Sequence, residues 1–112
     1  MTTPTMPISL DGWDITRAED TDWMPWGEGG HARAKVLGTA DGYLVALVEA
    51  DAGYTGTPHE HTNAEFLYVI DGRLRNQGRT MESGDGYAAA AGSTHADFEA
   101  EQPSRYLSIF KL

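Results

Sequence analysis

Two histidines and a glutamate, by type and spacing, define the chemistry open to this chain. His59 and His61 flank Glu60, and Glu65 follows four positions after His61. In an extended strand, residues two apart share a face, so His59 and His61 present their imidazoles together and Glu60 points away. Thr62-Asn63-Ala64 reads as a tight connection into an apolar run that opens on Glu65 and ends at Ile70. A hairpin at that connection would carry Glu65 beside the imidazole pair. Neutral imidazole together with carboxylate suits a divalent first-row metal ion. Glycines frame the set, with five residues between Gly53 and His59 and six between Glu65 and Gly72.

The elements that must position these side chains read as strands. The chain has 13 glycines, and from Gly38 to Gly92 they punctuate short β-branched and aromatic runs. Such runs include 43–48 (Tyr-Leu-Val-Ala-Leu-Val), 66–70 and 106–110. Short strands at near-regular spacing with turn signals predict an all-β sandwich or barrel. No window carries a sustained helical stripe, and the alanines at 88–91, hemmed by Gly86 and Gly92, are too few to nucleate a helix. Asp71-Gly72 and Asn76-Gln77-Gly78 read as turns. Residues 1–30 differ from the rest and carry Trp13, Trp23 and Trp26. They are expected to form an irregular arm, with the barrel over 31–112. Phe66, Tyr68 and Ile70 would face outward, so the tryptophans and Met24 are expected to cover that apolar face, or a second subunit would; the alternative places the tryptophans and Met24 at the mouth of the pocket.

With these residues in view, the sequence resembles the cupin superfamily. Its first motif, G-x5-H-x-H-x3,4-E-x6-G, is met at every fixed position by residues 53–72. Its second, G-x5-P-x-G-x2-H-x3-N, is met by Gly84, Gly92 and His95, with Ala90 in place of the usual proline and Glu99 in place of the usual asparagine. The resemblance implies a cupin-type double-stranded β-helix, a jelly-roll barrel, and a metal ion held by His59, His61, Glu65 and His95. Fe(II) is the preferred ion; manganese, zinc or nickel would suit the same donors. A finer resemblance is to the anti-sigma-factor (ChrR-type) cupin group. It rests on Trp23-Met24-Pro25-Trp26, on 34–37 (Ala-Lys-Val-Leu), and on the run from Glu65 to Gly72. That group also contains dioxygenases that cleave β-diketones and hydroxyacetophenones.

Strand parity then predicts the pocket. If Glu65 faces the interior, so do Leu67 and Val69. If His95 faces in, Asp97 and Glu99 follow it inward, while Ala96, Phe98 and Ala100 face out. Asp97 and Glu99 are therefore the candidate catalytic acid–base residues. A bend after His95 would instead turn both to solvent. Three imidazoles and one carboxylate would leave open coordination positions, as in catalytic sites. The leading expectation is a metal-dependent enzyme for a small oxygenated substrate, performing O₂-dependent C–C cleavage of a diketone or hydroxy-ketone at Fe(II). The alternatives are a non-redox lyase, isomerase or epimerase using the same ion, and a non-catalytic module that senses a small molecule or a metal.

Composition bounds the remaining possibilities. At 112 residues the chain is one domain. It has no cysteine, so thiol nucleophiles, zinc ribbons and iron–sulfur clusters are excluded. Eight Lys and Arg against 17 Asp and Glu give a net charge of −9, which offers no footprint for nucleic acid and repels anionic membrane surfaces. The first residues have neither a cationic segment nor a long apolar one, so a cytoplasmic protein is expected. A homodimer is expected, the arm packing on a neighbour's sheet. Arg73, Arg75 and Arg79 read as a solvated strand face, and His31 as an exposed histidine.

Overall fold

The computed structural model describes residues 6–112, and the first five residues of the arm lie outside it. Eleven strands are present among the described residues: β1 (Met24–Pro25), β2 (Ala32–Ala40), β3 (Tyr43–Ala50), β4 (His59–Glu60), β5 (Glu65–Asp71), β6 (Arg73–Asn76), β7 (Arg79–Glu82), β8 (Gly86–Ala89), β9 (Thr94–His95), β10 (Phe98–Ala100) and β11 (Ser104–Lys111). The one helical element among the described residues is a 3₁₀ turn, Ala18–Asp20. The chain is all-β, as its glycine punctuation predicts, and of the 88–91 alanines Ala88 and Ala89 end a strand while Ala90 and Ala91 follow it. No helix is long and apolar enough to cross a membrane among the described residues.

A six-stranded antiparallel sheet in the order β1-β2-β3-β11-β5-β8 forms one layer. The facing layer consists of the three-stranded β10-β6-β7 and the two-stranded β4-β9. This is a jelly-roll arrangement. Strand alternation builds the core between the layers. In β3, Leu44, Ala46, Val48 and Ala50 are buried, and in β11 Ser104, Tyr106 and Ser108 are. Leu67 and Val69 from β5 meet Leu74, Met81, Phe98 and Ala100 from the opposite layer. Asp41-Gly42 and Gln77-Gly78 take positive φ in the two tight hairpins, β2–β3 and β6–β7, where the strand twist demands it. Gly72 has φ +95°, and a Cβ there would collide with the Pro103 carbonyl oxygen, so glycine is required between β5 and β6.

Three expectations are corrected. First, β4 does not form a hairpin with β5; it pairs with β9, His59 opposite His95, while β5 lies between β11 and β8 in the other layer. Second, the parity after His95 is the reverse of the one predicted. Phe98 and Ala100 are buried together with His95, because Ala96 and Asp97 interrupt the strand as the chain leaves β9 beside β4 and enters β10 beside β6. Third, the tryptophans do not cover Phe66 and Tyr68, which remain 43% and 50% exposed within the single chain. The arm runs along its own β2 instead. Asp14 accepts from Thr39 N (2.9 Å), Lys35 Nζ donates to Ala18 O (2.6 Å) and sits 4.9 Å over the Trp23 ring, and β1 pairs with β2. Trp26 turns into the barrel and packs against Phe110 at 5.7 Å between ring centroids.

Candidate metal centre

The two-residue pairing of β4 with β9 sets His59 against His95, and the open end of β5 brings Glu65 to them. The structure thus gathers His59, His61, Glu65 and His95, with one donor atom from each within 4.8 Å of the others. His61 Nε2 lies 2.9 Å from Glu65 Oε2, and His95 Nδ1 lies 3.8 Å from the same oxygen. The three imidazole centroids are 4.9–5.3 Å apart. His61 and His95 are buried and His59 faces the opening.

Hydrogen bonds on the far side of each ring fix which nitrogen is bare. A carbonyl only accepts, so His59 Nδ1 donates to Thr57 O (2.7 Å) and Nε2 is left unprotonated. Ser93 Oγ gives its own proton to Ala90 O (2.6 Å) and therefore accepts from His61 Nδ1 (2.9 Å). In the neutral ring His61 Nε2 then carries the lone pair; it is buried and makes no hydrogen bond. It faces a carboxylate oxygen at 2.9 Å. Two acceptors at that distance repel unless a proton or a metal cation lies between them. Three neutral nitrogens and one carboxylate oxygen form a donor set for a first-row divalent ion, and bonds of about 2.1 Å place neighbouring ligand atoms roughly 3 Å apart or more. The residues fit such an ion.

Other side chains complete the surroundings. Tyr87, half-buried on β8, donates its hydroxyl to Glu65 Oε2 (3.0 Å). Burial first, and then the Glu65 charge, hold the Tyr87 phenol far above its ordinary range, so it stays protonated. Burial likewise lowers His95, against the opposing pull of Glu65, which favours neutral imidazole. Asn76 Oδ1 lies 2.6 Å from His95 Nε2. Sequence reasoning missed Tyr87, Ser93 and Asn76. Each comes from a distant strand or turn, and no local spacing ties it to its partner.

Asp97 and Glu99, the expected acid–base pair, are engaged elsewhere. Arg75 Nε and Nη2 donate to the two Asp97 oxygens (3.0 Å each), and Arg75 Nη1 donates to Glu99 Oε2 (3.0 Å). Gly78 N also donates to Asp97 (3.0 Å). The Arg75 hydrogen bonds and the Gly78 amide hold the Asp97 carboxyl below its ordinary value. Arg75, read from sequence as a solvated strand residue, is thus the anchor of both acids.

A cavity of about 430 Å³ opens onto the cluster. Trp26, Tyr54, Leu67, Phe98, Tyr106 and Phe110 supply apolar walls. Lys111 is the one cationic lining residue, against the carboxylates of Glu60, Glu65 and Asp97; Glu99 does not line the cavity.

Residues 13–111 match the ChrR cupin-like domain. Among curated proteins, the pectin degradation protein KdgF of Dickeya dadantii (strain 3937) is 26% identical over 97 residues, covering 82% of this chain and 86% of that protein. Among solved structures, the anti-sigma ChrR in complex with Rhodobacter sphaeroides SigE superposes with a TM-score of 0.72 at 26% identity, over 85% of this chain and 52% of that one. An acetylacetone dioxygenase from Acinetobacter johnsonii superposes with a TM-score of 0.71 at 15% identity, over 99% of this chain and 75% of that one. At that identity the likeness shows the fold.

Proposed function

The chain belongs to the ChrR cupin-like domain family, and on that footing we propose that it is a metal-dependent enzyme for a small, uncharged, oxygen-bearing substrate. The reaction we assign is O₂-dependent C–C cleavage of a diketone or hydroxy-ketone, with Fe(II) held by His59, His61, Glu65 and His95. The observation that carries the metal is the bare Nε2 of His61 facing Glu65 Oε2 at 2.9 Å. When bound, the ion supplies Lewis-acid polarisation of the substrate oxygen and, as Fe(II), electrons for O₂ chemistry.

The chain's own residues define the rest. Aromatic and aliphatic walls exclude water from the cluster and grip an apolar carbon skeleton. With the proposed divalent ion bound, its charge and that of Lys111 offset the carboxylates of Glu60, Glu65 and Asp97, and a chamber without net charge suits a neutral ketone. The Tyr87 hydroxyl orients the Glu65 carboxylate by donating to Oε2. Asp97 and Glu99 are better suited to holding the β10 segment through Arg75 than to taking a substrate proton, because Arg75 stabilises Asp97 as the anion and lowers its basicity. The test is anaerobic reconstitution with Fe(II), then oxygen uptake on adding acetylacetone. One O₂ consumed per diketone is expected. A protein fully loaded with iron that consumes none sinks the reaction class.

The sequence likeness to KdgF favours a second reading, a non-redox reaction using the same ion as Lewis acid. Turnover without oxygen in a zinc-, nickel- or manganese-loaded protein distinguishes it. Ligand binding without turnover in any metal form points to a sensing module. The uncovered Phe66 and Tyr68, with the exposed Ile8 and Trp13 of the arm, support a homodimer.

A further inference from the structure

Two phenols line the chamber and have no part in the metal centre. Tyr106 lies on β11 opposite Val69, while Phe110 of the same strand lies opposite Glu65. At about 3.3 Å per residue, the Tyr106 backbone enters the chamber roughly 13 Å along the barrel from the Glu65 row. Tyr54 comes from the loop between β3 and β4. Its amide donates to Asp51 O (3.1 Å) and its carbonyl accepts from Ala100 N (2.8 Å), which fixes the loop along β10. Both rings pack against Phe98, with centroids 6.4 Å away for Tyr54 and 5.6 Å for Tyr106. Gly27 of the arm closes over Tyr54, and a Cβ there would collide with the Tyr54 hydroxyl. Ser108, on the same face of β11 as Tyr106, adds a hydroxyl nearer the cluster.

Tyr54 and Tyr106 are only 7% and 3% exposed. Neither hydroxyl makes a hydrogen bond among the described residues, yet neither is sealed in, His61 Nε2 being the one enclosed side-chain atom without a partner. The free space they reach is the chamber that both residues line. A nearly buried donor without a partner is costly, and a ligand oxygen would complete it. Burial raises the Tyr54 phenol, and burial first, then the nearness of Tyr54 and Glu65, raises Tyr106, so both stay protonated.

We propose that Tyr54 and Tyr106 form a second polar subsite of the chamber, which takes an uncharged carbonyl or hydroxyl oxygen of the substrate apart from the oxygen that would meet the ion. Each phenol donates one hydrogen bond and brings no charge. A carboxylate or phosphate would need a cation to offset its desolvation. Lys111, the one cationic lining residue, holds its ammonium 5.7 Å over the Tyr43 ring on the outer face of β3. The subsite rests on the reading that the chamber takes a small oxygen-bearing molecule, and it asks of that molecule a further hydrogen-bonding oxygen.

The experiment compares two uncharged probes of one shape, cyclohexanone and methylenecyclohexane, which differ by an oxygen against a methylene. Both are titrated into the metal-free wild type, Tyr54→Phe, Tyr106→Phe and the double variant, and binding is followed at the indole N–H resonance of Trp26. The ¹³Cζ resonances of Tyr54 and Tyr106 are recorded alongside. In wild type, cyclohexanone is expected to move both ζ carbons further than methylenecyclohexane does. The affinity for cyclohexanone relative to methylenecyclohexane is expected to fall about 3–10-fold for each phenol removed, the usual effect of one neutral hydrogen bond. A merely structural role would change both probes alike and leave their ratio. An unchanged ratio in the double variant overturns the proposal, and so does a wild type that binds no cyclohexanone or whose ζ carbons do not respond to it. The wild-type spectra decide the matter if a variant does not fold. A phenol-dependent ratio in a protein that consumes no O₂ with acetylacetone keeps the subsite and removes the reaction class; O₂ uptake with an unchanged ratio removes the subsite alone.

Discussion

His61 Nε2 and Glu65 Oε2 stand 2.9 Å apart, and with the imidazole neutral a lone pair faces a carboxylate oxygen. The relationship follows from the far end of the imidazole, where Ser93 has already given its proton to Ala90 O and can only accept from His61 Nδ1. A divalent ion between them would relieve the repulsion. At an ion concentration a hundredfold above Kd, stabilisation is about 2.7 kcal/mol. For a domain of this size that raises Tm by about 10 °C. Thermal melts with zinc and then with excess chelator should show the rise and its reversal; a Tm indifferent to both contradicts the site.

Removing single donors tests the set of four. His59→Ala and His95→Ala should each abolish tight metal binding, read by metal analysis after dialysis. Glu65→Gln removes the anionic donor and should weaken binding while relieving the acceptor–acceptor contact in the metal-free protein. Its metal-free Tm should therefore not fall. Full occupancy in either alanine variant would show that the ion sits elsewhere.

Tyr87→Phe removes the hydrogen bond to Glu65 without changing the ring volume. Metal affinity should fall at least about tenfold, as for other outer partners of metal ligands. The folded chain should lose about 1.5–3 kcal/mol, the usual range for a hydrogen bond to a charged group. Denaturant melts of the metal-free protein read the second effect separately from the first.

Glu99→Gln separates a positioning role from a catalytic one. Loss of a general base costs roughly 10²–10⁴-fold in rate. Glu99 contacts Arg75 and does not line the cavity, so kcat for the diketone should stay well above that loss. A fall of a thousandfold at unchanged metal content would restore it as the base.

Alkali should unfold the protein through its buried tyrosines. Burial raises Tyr54 and Tyr106 above the ordinary value of 10.0, Tyr106 most strongly, with the neighbouring Tyr54 and Glu65 charges adding to it. A group raised in the folded state contributes stability that is complete below its unfolded value and is lost as pH climbs toward the folded one. Stability should hold to about pH 10 and fall above it. Ultraviolet titration should show these two phenols ionising together with unfolding; smooth early ionisation of all five tyrosines would contradict their burial.

Much of the centre was legible because His59 and His61 are two apart and Glu65 follows closely, so local strand geometry and glycine framing carry the pattern. The chain-level reading failed where an element is short. A two-residue strand such as β4 has no alternation from which to choose a partner, and its pairing with β9 is decided by tertiary packing. The parity of Asp97 failed for a related reason, since Gln77 bends the chain after His95 from another hairpin. Trp26 was expected to cover an outer face and instead lines the cavity, a difference set by the pairing of β1 with β2.

That placement of Trp26 divides the inheritance of the protein. The donors all lie between His59 and His95, while one wall of the chamber they serve is carried by the stretch before β2. Trp26 is held there by its own amide donating to Ala32 O (3.0 Å) and by Phe110. Exchange of this leading stretch between relatives would therefore change which molecule is admitted and leave the ion and its donors untouched. Selectivity can drift in part without disturbing the donors, because one wall of the chamber is carried by a segment that holds none of them.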